Sequence, residues 1–194
     1  IRILFNVDQT MLPHVDKERY GKLVERYGGL LDRGFIRNEE RMLHMTVNSF
    51  SQNMREHLVP IRKDVSGVAH YDTEKDAIYM PGQKLFSQYE DYTQELMRQL
   101  VSATGHQQRL AREGMVMKGG KAPSEDALKY ERLVTEVASG IKMRELGCAA
   151  RLSESSMGMV DYWTRELKEN PGLLDNLESD VNNALEVIRK AEKG

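Results

Sequence analysis

Tyr92-Thr93-Gln94-Glu95-Leu96-Met97-Arg98-Gln99-Leu100-Val101-Ser102-Ala103-Thr104-Gly105-His106-Gln107-Gln108-Arg109-Leu110-Ala111-Arg112 carries more information than any other part of this chain. Phe86, Tyr89, Tyr92, Leu96 and Leu100 form one stripe at spacings of three and four, which predicts an amphipathic helix over Gln83 to Ala103. Arg98, Gln99 and Ser102 share a face of that helix, with Arg98 and Ser102 one turn apart. Periodicity alone leaves two readings of that polar face open: a solvated side, or the lining of a site.

Working outward, Val68-Ala69-His70-Tyr71 and Ala77-Ile78-Tyr79-Met80 flank the polar run Asp72 to Asp76. That pattern predicts a β-hairpin, closed by Pro81-Gly82. On the other side, Gly114 to Pro123 reads as a mobile basic connection carrying Lys118, Gly119-Gly120 and Lys121. Ser124 opens a helix running to Leu146, with Gly147 as its stop. Further helices are expected over Val160–Leu167 and, after Asn170-Pro171-Gly172, over Leu173–Ala191. At the front, Ile1–Val7 reads as a strand, broken by Asp8-Gln9-Thr10. One helix is expected from Asp16 to Tyr27, ended by Gly28-Gly29, and another from Asn38 to His57 before Pro60. Strands near the front and helices behind make an α+β chain. We expect a single domain over 1–194: strand and helices in 1–66, then the hairpin and a helical core in 67–194.

Composition narrows the class. The 194 residues are 40% hydrophobic and 30% charged, which suits a packed core rather than a disordered chain. Lys plus Arg is 28 and Asp plus Glu is 30, so the net charge of −2 gives no bulk attraction to nucleic acid or anionic lipid. No apolar run reaches the about eighteen residues of a membrane span. The single Cys148 excludes an internal disulfide and fits a reducing, cytoplasmic compartment. The chain opens on Ile1, as expected of a piece of a longer protein.

Most sites of familiar chemistry are missing. The five histidines, His14, His44, His57, His70 and His106, include no pair four residues apart, so no helix offers two imidazoles to one metal. There is no phosphate-binding Gly-rich loop and no Gly-x-Ser-x-Gly elbow. Ser155-Ser156-Met157-Gly158 reads as a flexible turn, Cys148 as a buried small apolar residue, and the 11 methionines as packing.

Here the central segment gains meaning from a resemblance. Leu100, Thr104-Gly105-His106, Arg109-Leu110 and Arg112 resemble, in register, the pattern H-E-L-x-H-x-T-G-H-x-x-R-L-x-R of ArdC-type antirestriction proteins and the related TraC-type primases. Ala69-x-Tyr71, Asp76-x-Ile78-x-Met80-Pro81 and Phe86 resemble that family's hairpin, and Tyr130 to Glu136 its acidic helix. Glu145-Leu146-Gly147, Tyr162-Trp163 and Phe5 to Thr10 continue the likeness in order. The resemblance implies a zincin-like metallopeptidase fold: a small twisted sheet, a long central helix and a helical C-terminal half. The family's N-terminal single-strand DNA-binding domain has no counterpart among these residues.

The departures decide the expected function. Zinc hydrolysis on this scaffold needs two imidazoles one turn apart and a carboxylate beside the first. Those positions hold Arg98, Gln99 and Ser102. The resemblance implies a third ligand at Glu131 or Arg132, with Glu136 one turn after Arg132 as a supporting carboxylate. These residues, with His106, form a vestigial pocket with no catalytic group, no metal and no cofactor expected. Arg98 is expected to pair with Glu131 or Glu136. The expectation is an inactive binding or scaffolding module of a conjugative or mobile element, with protein partners, acting in transfer or antirestriction. Two alternatives stay open: a hydrolase using His106, Glu131 and Glu136 around a metal, and single-strand nucleic-acid binding through Lys118, Lys121, Arg109 and Arg112.

Overall fold

The computed structural model describes residues 15–194, the side chains of 23–41 excepted. The strand expected over Ile1–Val7, the break after it and His14 lie outside the described residues. The chain divides between Leu43 and His44 into two compact units.

In the first unit the backbone enters helix α1, Lys17–His57, which continues into the second unit. Asp16 caps it, its Oδ1 accepting from the Arg19 N–H at 2.9 Å. The helix does not stop at Gly28-Gly29 as the sequence suggests. A glycine most often ends a helix by turning left-handed, nothing obliges it to do so, and inside a helix it costs only about 1 kcal/mol.

In the second unit α1 ends before Pro60, and β1 (Ile61–Lys63), β2 (His70–Asp72) and β3 (Ala77–Met80) form a sheet of order β1-β3-β2. The hairpin β2–β3 is antiparallel, with His70 opposite Tyr79 and Asp72 opposite Ala77. Its turn closes at Asp76, whose φ of 44° is left-handed, a conformation Asp tolerates. Strand β1 runs parallel to β3, Ile61 opposite Ile78. Three residues are too few to show a period, so β1 was not legible in the sequence.

After a 3-10 turn at Gln83–Leu85 comes α2, Tyr89–Thr104, which starts later than the expected Gln83. Helices α3 (Glu125–Glu145), α4 (Glu154–Met157), α5 (Val160–Glu169) and α6 (Gly172–Lys193) follow. Ser124 caps α3 through Oγ, which accepts from the Ala127 N–H at 3.2 Å. Helix α2 touches α3, α6, β2 and β3, and is therefore the central element of this unit. Leu96, Met97, Leu100 and Val101 are fully buried on it, as are Ile78 of the sheet, Val134 of α3 and Ile188 of α6. The expected α+β architecture, with a small sheet, a long central helix and helices behind, is the one observed. Among the described residues no helix is long and apolar enough to cross a membrane.

Candidate functional site

The apolar stripe of α2 faces the core, so its other side presents Glu95, Arg98, Gln99 and Ser102, all half-buried. The guanidinium of Arg98 is the hub. Its Nε donates to Glu136 Oε1 at 3.2 Å and its Nη2 to Glu136 Oε2 at 3.3 Å. Nη1 reaches Glu95 Oε2 at 3.2 Å, and Nη2 also donates to the Arg151 carbonyl at 2.7 Å. Gln99 Nε2 donates to the other oxygen of Glu95 at 2.7 Å. One cation thus joins α2, α3 and the chain after α3 by charge-assisted bonds.

Glu136 is held from a third side as well. Its side chain is 4% exposed, and its Oε1 accepts from Ser153 Oγ at 2.9 Å and Ser156 Oγ at 2.6 Å. Ser153 also caps α4, accepting from the Ser156 N–H at 3.1 Å. The stretch expected as a flexible turn is therefore a helical turn with Ser156 fully buried against a carboxylate. The Arg151 N–H donates to Gln94 Oε1 at 3.0 Å, so the N–H and the carbonyl of Arg151 are both fastened to α2. Beside Arg98 lies a cleft of about 400 Å³, lined by Phe86, Glu90, Glu95, Arg98, Leu152 and Glu154 among others.

The other expected residues go elsewhere. Glu131 pairs with Arg112: Nε to Oε2 at 2.8 Å and Nη2 to Oε1 at 2.7 Å, both side chains buried. Arg112 also donates to Thr104 Oγ1 and the Val101 carbonyl, each at 2.8 Å. Arg132 is exposed on α3 and reaches Met159 Sδ at 3.6 Å, so it is no part of this cluster. His106 follows the Gly105 cap of α2 and lies against Tyr71 and Asp76, its Nδ1 4.0 Å from Asp76 Oδ2. The metal constellation of His106, Glu131 and Glu136 is not assembled: one carboxylate is bound by Arg112, the other by Arg98, and the imidazole faces the hairpin.

The nucleic-acid alternative loses two of its four cations in the same way. Arg112 is buried, and Arg109 is tied to Asp76, with Nη1 to Oδ2 at 3.0 Å and Nη2 to Oδ1, while its Nε donates to the Ala103 carbonyl at 2.7 Å. Tyr71 completes this cluster, donating to Asp76 Oδ1 at 2.6 Å. Burial opposes ionisation of Asp76, but the bonds from Arg109 and Tyr71 and the Arg109 charge outweigh it, holding the carboxyl below its ordinary 3.8. Burial and the neighbouring Asp76 push the Tyr71 hydroxyl up, so it stays a proton donor.

The donor set does not fit a zinc ion. A guanidinium has no lone pair to give and keeps its charge, an amide is no base for water, and a serine hydroxyl binds zinc poorly. Among the described residues no three His, Cys, Asp or Glu side chains are grouped to hold a metal.

With this geometry in view, the comparisons with known proteins are specific. Residues 48–174 match the pattern of a family described as zincin-like metallopeptidase. The chain belongs to that family. The zincin-like chain is also similar to the solved Mn(II)-bound structure of the antirestriction protein ArdC from plasmid R388, with 21% identity and a TM-score of 0.65. That match covers 75% of this chain and 51% of the other. The metal-free ArdC structure gives 22% identity and a TM-score of 0.63, over 76% and 50%. The zincin-like chain thus spans about half the length of those ArdC chains, and the likeness at this identity is one of fold. No curated protein matches the sequence.

Two further members of the Arg98 cluster, absent from the residues expected there, do carry a local signal. Glu95 stands three residues before Arg98 and four before Gln99, a helical pairing distance. Ser153, three residues before Ser156, has the spacing of an N-cap over a short helix.

Proposed function

We propose that this zincin-like chain is catalytically inactive and works as a binding module for a protein partner in a mobile genetic element, in transfer or in antirestriction. The observation that carries the proposal is Arg98 on Glu136. A permanent cation there repels a divalent ion, and its bonds use the acceptors that a metal shell would need. Gln99 cannot take a proton from water, so the position beside Arg98 supplies no base. The mobile-element setting is supported by the likeness to a plasmid-borne antirestriction protein.

The test is metal content. Protein purified without chelator is analysed for zinc and manganese, beside an R98H/Q99E/S102H variant. The native chain is expected to hold neither metal in stoichiometric amount, and the variant about one zinc per chain, with Glu136 freed to complete the donor set. Stoichiometric metal in the native protein, or casein hydrolysis that a chelator abolishes, overturns the proposal.

A further inference from the structure

Away from the Arg98 cleft, four cations without an ion-pair partner line one groove of about 700 Å³. Its walls are the last turn of α1, strand β1 and the segment after β3, which contribute Arg55, Arg62, Lys63 and Lys84. All four are exposed. Lys75, Arg98, Arg109, Arg112, Lys129 and Lys142 are each met by a carboxylate. No ion pair among the described residues meets these four. Asp64, the carboxylate in the groove wall, is turned to its own loop, accepting from Ser66 Oγ and from the Gly67 N–H at 3.0 Å. In a chain of net charge −2, four unneutralised cations around one depression make a local field attractive to an anion.

The remaining lining says which kind of anion. Val65 is 96% exposed and Leu85 70% exposed, both on the groove, while Ile61, Met80 and Pro81 form a buried apolar floor. The aromatic ring in the lining, Tyr92, is already engaged by Phe86, edge to face at 5.5 Å, and by Tyr89 at 6.2 Å. A single-stranded nucleic acid wants open aromatic faces for its bases. Exposed aliphatic side chains among unpaired cations suit instead a chain that alternates acidic and aliphatic residues.

We propose that this groove binds an acidic, aliphatic-containing peptide segment of a protein partner. The carboxylates of that segment meet Arg55, Arg62, Lys63 and Lys84, and its aliphatic side chains cover Val65 and Leu85. The proposal deepens the binding-module reading and rests on it, by naming the chemistry of the partner. It places the contact outside the Arg98 cleft.

Fluorescence anisotropy on the full chain tests it, using a labelled short peptide in which Glu alternates with Leu and Ser. The controls are the same peptide with Gln for Glu and an oligothymidylate of equal charge. Saturable binding of the Glu peptide is expected, weakened as ionic strength rises from about 0.05 to about 0.5 M, and absent for the Gln peptide. The R62E/K63E/K84E variant is expected to bind at least about tenfold more weakly. R144E/K168E, which reverses exposed cations elsewhere, is expected to bind as the native chain does, and circular dichroism confirms that both variants are folded. No saturable binding of the Glu peptide, undiminished binding by the triple variant, or tighter binding of the oligothymidylate each overturns the proposal. Zinc content is measured on the same preparation. Stoichiometric zinc with peptide binding intact overturns the inactive reading and upholds the groove, whereas metal-free protein that ignores the peptide overturns the groove alone.

Discussion

Arg98 and Arg112 are both arginines on or just after one helix, yet their surroundings differ. Arg112 donates to Glu131, Thr104 Oγ1 and the Val101 carbonyl from a fully enclosed position, where a planar five-donor group meets a fixed fork of acceptors. Arg98 keeps 13% of its side chain exposed and ties three segments at the wall of a cleft. The Asp76 cluster is the place where pH acts on a single residue. Because its folded pKa lies below the ordinary 3.8, its pairing stabilises the fold above that value and is lost as pH falls through the folded value. Asp76→Asn is therefore expected to lower stability at neutral pH by about 1–3 kcal/mol, the range for a charged hydrogen-bond partner. The deficit relative to the native chain shrinks as the medium is acidified below the ordinary carboxylate range. Urea unfolding at neutral pH and again in acid measures it, and a deficit that grows on acidification contradicts the assignment.

At the scale of elements, the junction between α2 and α3 depends on two glycines as much as on its ion pair. A Cβ on Gly105 meets Met115 Cγ at 2.6 Å and Arg112 Nη2 at 2.9 Å, and one on Gly114 collides with Glu131 Cβ and meets the Ala127 carbonyl at 2.7 Å. The loop between the helices is drawn this close so that Arg112 can reach Glu131 from the side. Gly114→Ala is expected to push the loop off α3 and destabilise by about 1–3 kcal/mol, as overpacking does. Thermal unfolding checks it, and an unchanged midpoint would show that the backbone gives way freely. Much of this element order was legible. The hairpin, the Ser124 cap and the helix ends near Thr104 and Glu145 follow from turn residues and caps, which are local chemistry. The length of α1, the short strand β1 and the helical turn at Glu154–Met157 were not. The last two depend on a neighbour: β3 for β1, and Glu136 for α4.

For the folded unit as a whole, stability is concentrated on α2, which touches the sheet, α3 and α6 together. Leu100, fully buried there, is expected to leave a cavity when cut to alanine, lowering stability by about 2–5 kcal/mol in denaturant unfolding. A loss below about 1 kcal/mol would mean that the helix is not the centre of the core. Sequence by itself determined the fold class, because stripes, caps and ordered motifs are written in neighbouring residues. It also determined that Arg98 has no lone pair to give a metal and that Gln99 cannot act as a base, wherever they point. Only the tertiary structure decided which carboxylate each arginine takes. Glu131 and Glu136 are five residues apart on one helix, so they leave it in different directions, one toward Arg112 and the other toward Arg98. The partner of a charged group is set by which helix face packs where, and that is a property of the assembled core rather than of any local run of residues.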